Sequence, residues 1–241
     1  MLRDIRTRMF GSAFGFLFVI AWPLSHILIL VFLYSALNRI APFGDSMPLW
    51  VATGAVPFMV FSYMSRFMAL SVVQNRPLLY FPIISVTDIL FARAIVEILS
   101  ASLVIIFVII ALVADGVDVM PSDLSGALAA ILASALLGLG AGVLNGVIVA
   151  FAPAWATGYS LAIVALWMTS GIMFVPSAMP EEIQKLLIFH PVLHTIEWLR
   201  SGYYEGYNSS LLIKWYPVAF GGALLFIGLL AERAFRGKIL A

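Results

Sequence analysis

His190, His194 and Glu197 come nearest, by type and spacing, to a set of metal ligands: two imidazoles four residues apart and a carboxylate can face one way on a helix. Pro191 directly follows His190 and argues against one continuous helix there, so a hydrogen-bonded structural element is the better expectation. The chain has no cysteine, which excludes disulfides, zinc–thiolate sites, iron–sulfur clusters and cysteine nucleophiles. Its carboxylates fall in connections or near the ends of apolar runs. An intramembrane proton relay, a paired-carboxylate acid/base site and an activated nucleophile therefore lack parts. No glycine-rich loop ends in Gly-Lys-Ser or Gly-Lys-Thr, so the chain has no nucleotide-hydrolysing loop of that kind.

Binding chemistry is better represented. Arg66 is the strongly basic residue inside a predicted span, where a mid-bilayer arginine costs roughly 2.5–3.5 kcal/mol and faces protein or water. It suits either a path for phosphate or carboxylate groups or a pairing with neighbouring helices. Phe10, Phe14, Phe18 and Trp22 recur every four residues and form a slowly drifting aromatic stripe. Such a stripe can stack on sugar rings, although packing and lipid contact are its commoner uses. Gly138, Gly142 and Gly146 repeat a small-xxx-small spacing, with Gly140 between them, and predict close helix approach. Asn145 is placed to bond across helices. Asn208-Ser209-Ser210 fits a glycosylation sequon, a pattern common by chance.

The elements that must position these residues are membrane spans. Hydrophobic residues make up 63% of the 241-residue chain and charged ones 10%, against roughly 25% charged in a soluble domain. Apolar runs at about 14–37, 49–73, 94–114, 124–151, 158–175 and 212–231 each approach the ~20 residues that cross a bilayer. The first run exceeds a signal-peptide core and lacks a good cleavage site, so it is read as a retained span. Residues 1–12, with Met9 and Phe10 among Arg3, Arg6 and Arg8, suit a helix lying along the membrane surface. Arg3, Arg6, Arg8, Arg76, Arg93, Arg233, Arg236 and Lys238 gather on one side. Arg39, Lys185, Arg200 and Lys214 lie on the other, diluted by acids, so both termini are expected in the cytoplasm. One transmembrane domain over 1–241 is expected.

Two connections are longer than turns between antiparallel helices require. The cytoplasmic stretch Gln74–Arg93 holds Pro77 and Pro82, which interrupt a helix, around the apolar Leu78, Leu79, Tyr80 and Phe81. An apolar piece facing the cytoplasm needs a membrane surface or a groove on another protein. Thr87 or Asp88 can cap the next helix, and Asp88, Arg93 and Glu97 are spaced for local ion pairs. The external stretch Pro176–Leu211 predicts two short re-entrant or interfacial helices. One starts near Pro180 with Glu181 and Glu182 in its first turn, and one runs over about 192–204 with Glu197 and Arg200 on one face. Tyr203, Tyr204, Tyr207 and Trp215 suit an aromatic belt at the headgroups.

The stretch Asn75-Arg76-Pro77-Leu78-Leu79-Tyr80, with Asp88 and Ala92-Arg93-Ala94, resembles the permease of capsular polysaccharide exporters, within the type-2 ABC exporters. Ser170-Gly171-Ile172, Phe174, Pro180, His190-Pro191, His194, Glu197 and Arg200 resemble the external gate region of that superfamily. The sequence differs at Trp22-Pro23, where an acidic residue often precedes the proline in that group. The resemblance implies an all-α integral membrane protein of six spans with an N-terminal interfacial helix, a cytoplasmic coupling helix and two external gate helices. It implies a homodimer driven by a separate dimeric cytoplasmic ATPase that carries the ATP and magnesium, with no cofactor in this chain. Asn75 to Phe81 and Asp88 would couple to the ATPase; Arg66, Phe14, Phe18, Trp22 and Arg93 would line the path; Pro180, His190, Pro191, His194, Glu197 and Arg200 would build the gate. The cargo would be a lipid-linked, usually acidic capsular polysaccharide, handed to a periplasmic co-polymerase and an outer-membrane exporter, with no nucleic acid involved. The location would be the bacterial inner membrane. The alternative is a type-2 exporter of another cargo: O-antigen, teichoic acid or a small lipophilic molecule.

Overall fold

A computed structural model describes residues 13–36, 40–81, 83–207 and 209–240, the side chains of 13–20, 35–36 and 238–240 excepted. Among the described residues it is all-helical. Helix α1 covers Ala13–Ala36 and α2 Met47–Gln74, followed by a 3-10 turn over Arg76–Tyr80. Next come α3 (Val86–Ala114), α4 (Leu124–Phe151) and α5 (Trp155–Thr169). A second 3-10 turn at Pro176–Ala178 leads to α6 (Glu181–Leu187), α7 (Pro191–Tyr203) and α8 (Trp215–Leu240). Four described helices are long and apolar enough to cross a membrane: α2, α3, α4 and α8.

Local chemistry sets the boundaries. Ser46 caps α2 by accepting from Leu49 N at 3.3 Å, and Asp123 caps α4 by accepting from Gly126 N at 3.0 Å. Ser85, rather than Thr87 or Asp88, is the N-cap of α3. Asp88 is its capping-box partner: Ser85 Oγ accepts from Asp88 N at 3.2 Å while Asp88 Oδ2 accepts from Ser85 N at 2.8 Å. That box starts α3 at Val86, two turns before the expected 94, so Asp88 and Arg93 are helical and only 75–85 lie between α2 and α3.

Two other boundaries differ from expectation. Helix α5 has 15 residues, about 22 Å of helix, because Gly171 takes φ +84° and the chain unwinds before Pro176. The last helix begins at Trp215 and continues to Leu240, well past 231. There Arg236 forks onto Glu232 through two 2.9 Å contacts, an i,i+4 pair that supports the extra turns.

Helices α2 and α4 form the centre, packing on each other most extensively; α8 and α7 lie against α4, and α3 and α1 against α2. In the most apolar stretch of α2, 72% is buried, against 17% for α8, so α8 turns most of its surface outward. Small residues bring the axes together, as the glycine spacing predicts. A methyl at Gly142 would lie 2.7 Å from Met68 Cβ and one at Gly138 would lie 3.0 Å from Phe61 O, both on α2. Gly140 faces the opposite way: a methyl there would overlap Gly221 O on α8. Asn145 bonds across helices, accepting from Trp155 Nε1 at 2.7 Å.

Candidate functional site

The end of the bundle that holds α7 is built around a buried guanidinium. Arg200 is fully buried and donates from Nη1 to Gly171 O at 2.7 Å and from Nη2 to Ile172 O at 2.9 Å. Those carbonyls are released where α5 unwinds, so the side chain supplies donors that the helix no longer provides. Its charge lies 3.6 Å from the Trp50 ring centroid and 3.5 Å from Glu197 Oε1. Glu197 is also fully buried, and the Tyr207 hydroxyl donates to it, 2.9 and 3.0 Å from its two oxygens. Gly54 on α2 leaves room for the fork, since a methyl there would lie 2.8 Å from Arg200 Nη2. The cluster ties α7 to the unwound end of α5 and to the first turns of α2.

The two histidines are structural here. His190 is the N-cap of α7, its Nδ1 accepting from Leu193 N at 3.1 Å and its Nε2 lying 3.1 Å from Leu166 O. His194 Nδ1 accepts from Ile213 N at 3.2 Å, and its Nε2 lies 2.8 Å from Ile188 O. All four ring nitrogens thus have backbone partners. No group of three or more His, Asp or Glu is placed to hold a metal among the described residues. Burial pushes both imidazole pKa values below their ordinary value, against the opposing pull of the carbonyl contacts. Burial likewise raises the Tyr204 and Tyr207 hydroxyls, with the Glu197 charge adding to the rise at Tyr207. Pro180 precedes α6 as its N-cap, with Glu181 and Glu182 in the first turn and Pro191 opening α7.

The aromatic belt is revised by this geometry. Tyr204 is buried and Tyr207 half-buried, both turned inward onto Phe43 and Trp50, with ring centroids 5.2–6.0 Å apart. Trp215 alone of the four is strongly exposed. Trp50, Gly54 and Tyr207 are the members of the cluster that sequence reasoning missed. An i,i+3 rule finds Glu197 with Arg200, but Trp50 is remote in sequence and carries no such signal.

At the other end of α2, roughly 40 Å along 28 helical residues, lies the segment 75–85. Asn75 is buried and closes α2, its Nδ2 donating to Ser71 O at 3.0 Å. Pro77 lies in the first turn of the 3-10 segment Arg76–Tyr80, which also carries Leu78 and Leu79. Tyr80, Phe81 and Ile83 then project outward at 82%, 60% and 92% exposure. Pro82 lies outside the described residues. Asp88 is spent on its cap, so of the expected ion pairs only Arg93 with Glu97 forms, at 2.8 Å, buried and 4.9 Å from the Phe67 ring.

A cleft of about 310 Å³ opens between α1, α2 and α5 and is bordered by Trp22, His26, Ser62, Tyr63, Arg66 and Trp167. It brings Arg66 and Trp22 together as path candidates; Trp22 is 72% exposed and Arg66 is exposed as well. Arg93 does not border it, because α3 carries that side chain against α2. The side chains of Phe14 and Phe18, and all of Phe10, lie outside the described residues.

An all-helical bundle with four helices of membrane-crossing length and composition is an integral membrane protein. No family model matches the chain. The chain is 28% identical over 238 residues to the capsule polysaccharide export inner-membrane protein CtrC of Neisseria meningitidis serogroup A, covering 95% of this chain and 86% of that protein. It is 28% identical over 236 residues to the polysialic acid transport protein KpsM of Escherichia coli, covering 96% and 90%. It is 27% identical over 248 residues to the capsule polysaccharide export inner-membrane protein BexB of Haemophilus influenzae, covering 98% and 89%. The resemblance read from the sequence is therefore borne out: the chain is similar along nearly its whole length to inner-membrane proteins of capsule polysaccharide export.

Proposed function

We propose that the chain is the transmembrane subunit of an ATP-driven exporter that moves lipid-linked capsular polysaccharide across the bacterial inner membrane. The observation that carries the reading is the full-length likeness to three differently named transport proteins, two of them named for capsule export and one for polysialic acid. One domain spans the membrane six times, with α1 and with α5 plus its unwound tail joining the four long helices, and both termini lie in the cytoplasm.

Power comes from a separate dimeric ATPase that holds the ATP and magnesium, and two copies of this chain share one path. The exposed Tyr80, Phe81 and Ile83 fit a groove on that ATPase, since three large apolar side chains in a short segment held at both ends by helices favour a partner over water. Pro77 and the caps at Asn75 and Ser85 keep the segment short and stiff, so a push on it moves α2 and α3. The cleft at Arg66 offers a cation for acidic groups and the Trp22 and Trp167 rings for sugar faces. Helices α6 and α7, with Pro180, His190, Pro191, His194, Glu197 and Arg200, form the gate on the periplasmic side. Beyond it a co-polymerase and an outer-membrane exporter receive the polymer.

Deleting the gene tests this reading. Polymer accumulates inside the cell and disappears from the surface, and a plasmid copy restores it. A normal surface capsule without this chain overturns the proposal.

A further inference from the structure

Helices α3 and α4 follow one another in the chain yet touch little, because α3 leans on α2 instead. The divergence leaves a groove of about 300 Å³ at the α7 end, floored by α2 and walled by α3 and α4. Its side-chain surface is hydrocarbon apart from the Met120 sulfur and the hydroxyls of Thr53 and Tyr203. Thr53 already donates to Trp50 O at 3.0 Å. Leu199 and Tyr203 of α7 form its inner wall. It shares no lining residue with the Arg66 cleft.

We propose that this groove is a binding site for one acyl chain of a membrane phospholipid. A water molecule needs two to four polar partners to reside in a cavity, and this one offers almost none. Both walls belong to helices of membrane-crossing length, so the phase that meets the groove is lipid hydrocarbon. The dimensions agree. Ile105 to Leu112 on α3 and Leu124 to Ile131 on α4 each cover about 10 Å of helix. At about 30 Å³ for each water-sized group, the volume takes on the order of ten methylenes. A chain seated there touches Leu199, which is 4% exposed, and so packs directly on α7. The proposal rests on the membrane location and not on the export reading.

The test uses the full chain in vesicles of phosphatidylethanolamine that contain a trace of the same lipid with a photoactivatable diazirine on its acyl chain. After illumination, labelled residues are mapped by peptide mass spectrometry. Val108, Leu112 and Leu199 are 5%, 7% and 4% exposed and line the groove, so a chain reaches them only from within it. The expected result is label at these positions as well as on outward residues such as Leu161 and Phe226. Leu128, 56% exposed at the rim, tolerates enlargement. Leu128→Trp displaces a few methylenes and lowers the label at Val108 and Leu199 by about tenfold, leaving Phe226 unchanged. Label confined to outward residues in the unaltered chain overturns the proposal, and a groove closed by a second copy of the chain gives that same result. If Leu128→Trp fails to fold, the unaltered chain decides alone.

Discussion

Replacing Arg200 with methionine keeps the length and apolar stem of the side chain but removes its charge and every donor. Gly171 O and Ile172 O then lose partners at 2.7 and 2.9 Å in a fully buried setting, and a buried polar group left unmade costs about 1–3 kcal/mol. Glu197 also loses its counter-charge and keeps the Tyr207 hydroxyl as its donor among the described residues, and breaking a buried ion pair in this way costs about 3–5 kcal/mol. These losses overlap because all pass through one guanidinium, so we expect about 3–5 kcal/mol in total rather than their sum. For a chain of this size that corresponds to a fall of about 6–20 °C in melting temperature, read from thermal unfolding of the purified protein in detergent. Arg200→Lys keeps the charge but cannot fork onto two carbonyls, and falls between the two. Adding Glu197→Gln to Arg200→Met removes the stranded charge and recovers part of the loss. A melting temperature for Arg200→Met within about 2 °C of the unaltered chain refutes the clamp.

Gly140→Ala places a methyl onto Gly221 O, a backbone atom that cannot step aside, and lowers stability by about 1–3 kcal/mol. Gly222→Ala, where nothing lies within 4 Å, does not lower it, and the contrast in melting temperature checks the α4–α8 contact. Acid weakens the α7 end. The folded imidazoles of His190 and His194 titrate below their ordinary value near 6.5, so below about pH 6.5 the unfolded chain binds more protons than the folded one. Their contribution is complete above that pH and is lost as pH falls through the folded values. Melting temperature drops as pH is lowered below about 6.5, and His194→Gln flattens the drop; an equal slope in that variant contradicts the assignment.

The apolar runs made the membrane helices legible, since length and composition alone decide that question. The glycine spacing foretold the close contact of α4 with α2, and the three-residue offset foretold Glu197 with Arg200, because both signals are local. What stayed hidden depends on the folded bundle. Arg200 meets Gly171 and Ile172 across a gap of 28–29 residues, and Trp50 comes from α2, far earlier in the chain. The early start of α3 was written in Ser85 and Asp88, but reciprocal capping competes with the pull of a largely apolar run beginning at Ala94. Tyr207 reads as a headgroup anchor until the buried carboxylate that draws it inward is in place. The Arg66 cleft needs three helices together, with α5 supplying Ile163, Val164 and Trp167 to its lining.

The central claim is that segment 75–85 is where a nucleotide-driven partner takes hold. Because the chain contains no cysteine, Tyr80→Cys introduces a single thiol at an 82%-exposed site, to which a short photoactivatable cross-linker can be attached in whole cells. The account predicts an adduct with an ATP-binding subunit, lost when Phe81→Asp is added. Cross-links to lipid alone, with no ATP-binding protein captured, contradict it.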